Sequence, residues 1–267
     1  MTSIALAART VLLTPEARTK AATSRAMAAA WGAGSIELSF EVAMPDVPAR
    51  PDRPELLDPN RMPKRGRGGS DRSRFALLHA LAHIELNAID LAWDLVGRFG
   101  AGLPRAFVDD WVRVADDEAR HFIMLDDRLH ELGGGYGDLP AHNGLWQAAA
   151  ATAHDLRARL AVVPLVLEAR GLDVTPATLV RLRAAGDARS ADLLEIIYRD
   201  EITHVAAGNH WFRWACDSNG SSPVHTFQTL VSTYFRGHLK PPFNDLARSE
   251  AGLTPDFYHG LATPLRG

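Results

Sequence analysis

Cysteine is nearly missing from this chain: Cys216 stands alone among 267 residues. No intrachain disulfide can form, and a reducing, cytoplasmic setting is the expectation that follows. Neither sign of charge dominates, since the formal net charge is only -3. There is thus no global pull toward nucleic acid or anionic lipid. Long apolar runs are also wanting. None approaches the roughly 20 residues that span a bilayer, and the opening MTSIALAARTVLLTPEAR lacks the basic-then-apolar order of a secretion signal. Period-two alternation bounded by turns is absent, so no strand is expected. Nor is there a Gly-rich phosphate loop, a Cys-x-x-Cys pair or a nucleophile elbow.

What remains is helical punctuation. Thr14-Pro15-Glu16 opens an Ala-rich helix to about Trp31. Residues 42–71 hold six prolines and a Gly pair, so they read as an extended arm, with Lys64, Arg65 and Arg67 in a solvated basic loop. Long helices are then expected over 72–99, from Pro104 to Gly133, over 143–170 up to Gly171, and over 188–217. Shorter ones fall at 175–185, behind Thr175-Pro176, and at 223–237 and 242–250. The fold class is all-α: a four-helix bundle over 71–218 with a long crossover. An N-terminal helix and arm (1–70) precede it, and helices at 219–267 pack on it.

Inside this apolar helical sequence the chain twice writes Asp-Glu, two spacers and His: DEARH at 117–121 and DEITH at 200–204. Residues three, four and seven away share a helix face. Around Glu85, Glu118, Glu168 and Glu201 those neighbours are apolar or glycine, apart from His121, His204, Tyr198 and Thr175. Four carboxylates therefore lie on core-facing stripes, with no Lys or Arg on the same stripes. A buried unpaired carboxylate costs several kcal/mol or finds a partner. Two divalent cations would cancel four such charges. Glu-x-x-His sets carboxylate and imidazole one turn apart, and one Glu from each of two helices with Glu-x-x-His from each of two others is the di-iron carboxylate arrangement. Mixed oxygen and imidazole ligands suit two iron ions, with manganese or a mixed pair also compatible. The offset repeats: Glu118 lies 33 residues after Glu85, and Glu201 lies 33 after Glu168. Two hairpins of equal pitch imply a pseudo-twofold centre.

Ligating histidines usually donate their second N–H to a carboxylate. Asp117 and Asp200 are assigned that role, each toward the opposite hairpin's histidine, with Arg120 as a salt-bridge partner for one of them. These residues resemble the ferritin-like superfamily, and DEARH is similar to the Asp-Glu-x-Arg-His motif of bacterial multicomponent monooxygenases. More closely, HALAHIELNAIDLAWD, DEARHF, LEARGLDVTP and DEITHVAAGNHWF resemble the ferritin-like family called domain of unknown function 455, over most of residues 70–250. A ferritin-like tRNA hydroxylase shares the pattern more distantly. The resemblance implies Glu85, Glu118, His121, Glu168, Glu201 and His204 as ligands and names no substrate.

His79 and His83 lie round the helix from Glu85 and read as packing histidines. Tyr198 shares the Glu201 stripe and is either a partner of the metals or a core tyrosine. Pro164, one turn before Glu168, predicts a kink. His142 lies in the crossover, and the tryptophans read as core. Three functions compete: an O2-dependent oxidoreductase that hydroxylates or desaturates a small substrate, a ferroxidase or iron store, and a non-redox module held together by its metals. The extensions on both sides of the bundle would obstruct a storage shell, which favours the first, as a monomer or homodimer. The electron donor is unknown, and tRNA stays open as a partner.

Overall fold

The structure, a computed structural model, describes residues 2–58, 61–62 and 70–262. Among these the chain is all-α, apart from a two-residue parallel pair, β1 (Thr2–Ser3) with β2 (Ile36–Glu37). Two compact units form, Met1–Trp146 and Gln147–Gly267. Each is built round one helical hairpin.

The first hairpin is α3 (Asp71–Phe99) and α4 (Arg105–Glu131), within a residue or two of expectation. A capping box starts α3: Ser73 N donates to Ser70 Oγ at 3.3 Å, and Ser70 N to Ser73 Oγ at 3.0 Å. Gly102, at φ 78°, makes the turn before α4. By length and composition α3 alone among the described helices is apolar enough to cross a membrane, yet 67% of its apolar window is buried inside the fold. It also carries Glu85, Asp90 and Asp94, all buried.

No helix is expected ahead of Thr14, but α1 (Ile4–Leu12) is there, with Ser3 Oγ accepting from Leu6 N at 3.1 Å. It packs on α3, while α2 (Ala17–Gly32), found where predicted, packs on α4. Residues 42–58 form no helix or named strand, as their prolines dictate. They lie along α3: Arg98 Nη2 donates to Pro45 O at 3.0 Å, and a Cβ added at Gly97 would meet Met44 Sδ at 2.2 Å. The basic run with Lys64, Arg65 and Arg67 lies outside the described residues.

One ion cluster inside this unit has no counterpart in the sequence reading. Lys20 Nζ donates to Asp90 Oδ1 at 2.6 Å, and Arg50 Nη1 reaches Asp90 Oδ2 at 2.9 Å. Lys20 and Asp90 are 1% and 0% exposed. Asp90 is at least as buried on α3 as Glu85, and its partners come from elsewhere in the chain. A buried acid on a helix is thus not by itself a metal ligand.

In the second unit the expected single helix over 143–170 is two. The chain forms α5 (Gly144–Ala151), where the unit boundary falls, then breaks and restarts as α6 (Leu156–Val162), capped by Asp155. No Gly or Pro marks this break. It is held by buried Arg159, which donates to Ala149 O at 2.7 Å and Thr152 Oγ1 at 3.1 Å. Next comes a π-helical turn, Val163–Glu168, and then α7 (Ala169–Ala184), which passes straight through Gly171 and Pro176. The separate helix expected at 175–185 is therefore part of α7. Pro176 cannot donate to Leu172 O. Asn244 Nδ2 does so instead, at 3.1 Å.

The partner of α7 is α8 (Ala188–Asp217), with Gly186 at φ 76° in the turn between them. The C-terminal helices α9 (Pro223–Tyr234) and α10 (Asp245–Glu250) arrive near their expected places, and α11 (Pro255–Tyr258) is additional. Arg248 of α10, 2% exposed, anchors this segment through a two-pronged contact with Asp173, at 2.8 Å on each prong.

Candidate metal centre

The first hairpin brings three predicted residues together. Glu85 comes from mid-α3, and Glu118 and His121 lie one turn apart on α4. Their exposures of 5%, 1% and 0% put all three inside the protein. His121 Nδ1 stands 3.2 Å from Glu85 Oε2 and 3.5 Å from Glu118 Oε2. One ligand atom from each residue falls within 4.8 Å of the others, so the cluster is able to hold a metal ion.

Its electrostatics fit a cation. Burial first, and then the charge on Glu118, push the Glu85 carboxyl well above the ordinary range, against the opposing pull of His121. Two carboxylates and one imidazole nitrogen make a donor set for a hard or borderline divalent ion. A cation there would offset the burial and like charge that favour a proton on Glu85.

In the second hairpin Glu201 and His204 repeat the pairing. His204 is 0% exposed, and its Nδ1 lies 3.3 Å from Glu201 Oε2. Both motif histidines thus turn the same ring nitrogen toward a carboxylate. Glu201 and Glu168 are less enclosed than the first pair: both are only half-buried. Glu168 closes the π turn, so its neighbours are not those of a regular helix.

Sequence comparison joins this geometry to a family: the model described as "Protein of unknown function (DUF455)" matches residues 13–259. The chain belongs to the DUF455 family. An uncharacterized protein of Haemophilus influenzae is 42% identical over 219 residues, covering 80% of this chain and 76% of its own. No solved structure matches significantly. In this DUF455 chain the matched span takes in all six predicted ligands.

The other singled-out residues are placed as follows. Asp117 Oδ1 accepts from Arg120 Nη2 at 2.7 Å, the salt bridge expected of Arg120. The Asp200 carbonyl accepts from Thr203 Oγ1 at 2.7 Å. Tyr198, the low-ranked candidate beside Glu201, has its hydroxyl 3.0 Å from Asn244 Nδ2, which donates to it. Burial raises its phenol above the usual range.

His79 and His83 are hydrogen-bonded packing residues, as read. His79 Nε2 accepts from Gly137 N at 3.0 Å and Leu139 N at 3.4 Å. His83 Nε2 meets the His142 carbonyl at 3.0 Å, which puts its proton there, so Nδ1 accepts from Tyr136 O–H at 2.8 Å. Burial drops the His83 ring to about 4 and holds His79 below its ordinary value. Tyr136 stacks on both rings, at 5.4 and 6.1 Å, and meets Phe122, the neighbour of His121, edge-on at 5.3 Å. The sequence reading passed over Tyr136. Its Gly-rich surroundings (GGGYGD) resemble an ordinary loop.

Proposed function

We propose that this chain is a ferritin-like di-iron carboxylate oxidoreductase that uses O2 to hydroxylate or desaturate a small substrate. The observation that carries the reading is the Glu85–Glu118–His121 cluster, whose charge and ligand types call for a divalent cation, together with its repeat in the sequence of the second hairpin. Glu85, Glu118 and His121 would hold iron with Glu168, Glu201 and His204. Two ferrous ions bound by such a set supply electrons for the reduction of O2.

The chain's own part is to bind, orient and exclude water. With a cation bound, Glu85 would give up any proton to solvent and both carboxylates would be anionic. His121 and His204 offer the Nδ1 lone pair, which moves each ring proton to Nε2. Asp117 and Asp200 are the proposed acceptors for those protons, fixing each tautomer. Buried apolar side chains such as Trp111, Phe122 and Leu125 on α4 keep the first hairpin's ligands out of water. The electron donor and substrate are not named by these residues.

The test is anaerobic loading with Fe(II) followed by O2. The reading expects about two irons per chain and O2 uptake in proportion to them. Retention of many irons per chain as mineral would make the protein an iron store instead. Uptake below one iron per chain would end both readings.

A further inference from the structure

We infer that Gly208 is a positioning residue for Glu168, setting through Pro164 how close the π turn lies to the ligand-bearing face of α8. This rests on the metal reading above. On α8, Gly208 follows His204 by four residues and Glu201 by seven, so it continues their face. It is buried. A Cβ built there would stand 2.5 Å from Pro164 Cβ and 2.8 Å from Pro164 Cγ. Both atoms belong to a ring fused to the backbone. No rotamer can move them aside, so the backbone itself would have to shift.

The segment that would shift is the one that carries Glu168. The last ordinary helical bond of α6 runs from Val163 N to Arg159 O. Pro164 has no N–H to make the next one. The chain widens into the π turn, which closes with Ala169 N on Pro164 O. Pro164 thus begins the turn that Glu168 ends, and its ring is the point that rests on α8. Displacing that point moves the Glu168 carboxylate relative to Glu201 and His204, and metal–ligand distances tolerate only about 0.2 Å.

Gly171 supplies the contrast. It lies on α7 and faces α8, but a Cβ there would stand 3.6 Å from Glu201 Cγ, an ordinary contact. The close approach requires glycine at 208 and not at 171.

The experiment titrates metal-free full-length protein with Co2+, following its visible absorption and the bound metal by equilibrium dialysis. Gly208→Ala should lose about tenfold or more in affinity for one of two ions and change the Co2+ spectrum. Gly171→Ala should match wild type in both. Pro164→Gly alone, which restores an N–H at the start of the π turn and removes the ring that rests on α8, should weaken binding of the same ion. A general packing defect would lower the melting temperature of Gly208→Ala but leave stoichiometry and spectrum alone, and that result overturns the inference. So does unchanged Co2+ binding in Pro164→Gly, the outcome that decides where Gly208→Ala alone does not fold. Wild-type protein that takes up no Co2+ overturns the metal reading itself.

Discussion

His121 Nδ1 faces Glu85 Oε2 across 3.2 Å, joining α3 to α4 at a point where both side chains are out of water. Without a cation the contact is a hydrogen bond that only partly relieves Glu85 of its burial and of Glu118. Glu118→Ala and His204→Ala should each lose metal. Both should forfeit the stabilisation that metal gives, about 2–3 kcal/mol at a hundredfold excess over Kd. Neither should lower the melting temperature of the metal-free protein by a comparable amount. Metal analysis with paired melting curves decides it, and unchanged metal content would remove these residues from the ligand set.

Asn244 and Pro176 make a second prediction. Asn244→Ala leaves the Leu172 carbonyl without its donor and should cost about 1–3 kcal/mol. Pro176→Ala restores a backbone N–H to that carbonyl, so the double variant should recover part of the loss. Urea unfolding of the four proteins gives the coupling. Strict additivity would show that the Leu172 bond does not matter.

The members of the buried ion cluster differ in what each removal leaves behind. Asp90→Ala strands Lys20 beside Arg50 and should cost about 3–5 kcal/mol. Burial already lowers the Lys20 ammonium below its ordinary range despite Asp90. Lys20→Met leaves the Asp90–Arg50 pair intact and should cost clearly less. Chemical denaturation giving the reverse order would contradict this arrangement.

The His79 ring responds to acid. A proton on Nε2 would break both backbone bonds it accepts, and burial holds the ring below its ordinary value of 6.5. The unfolded chain therefore takes up this proton first, and stability falls as pH drops below 6.5. In metal-free protein, urea midpoints between about pH 7 and 5.5 should decline. His79→Gln, whose amide oxygen still accepts, should reduce that decline and leave the share that buried His83 contributes. An equal slope in the variant would place the acid sensitivity elsewhere.

The long helices were legible because their ends are written locally: Ser70 and Ser73 at one end of α3, glycines at the other, and Gly186-Asp187 before α8. The Glu and His positions were legible because a carboxylate on an apolar stripe demands a partner. The same test does not flag Asp90, because His83, Asn87 and Asp94 share its helix face, so the Lys20–Arg50 cluster stayed hidden. What decides between a cation side chain and a metal is distant chain, which periodicity does not report. The run from 143 to 184 misled for that reason too. Its break rests on Arg159, and its passage through Pro176 rests on Asn244, 72 residues beyond the carbonyl it serves.

The π turn has a consequence for how this stretch should be mutated. A helix advances about 100° per residue, and a π turn takes up one residue more than an α turn. Positions before Val163 and after Glu168 are therefore out of phase by about one residue. A single helical wheel drawn from Leu156 to Ala184 would assign inward and outward faces wrongly on one side of the turn. Deleting one residue within Val163–Glu168 would bring both sides into a common phase, at the cost of swinging Glu168 away from the side of the helix it now occupies.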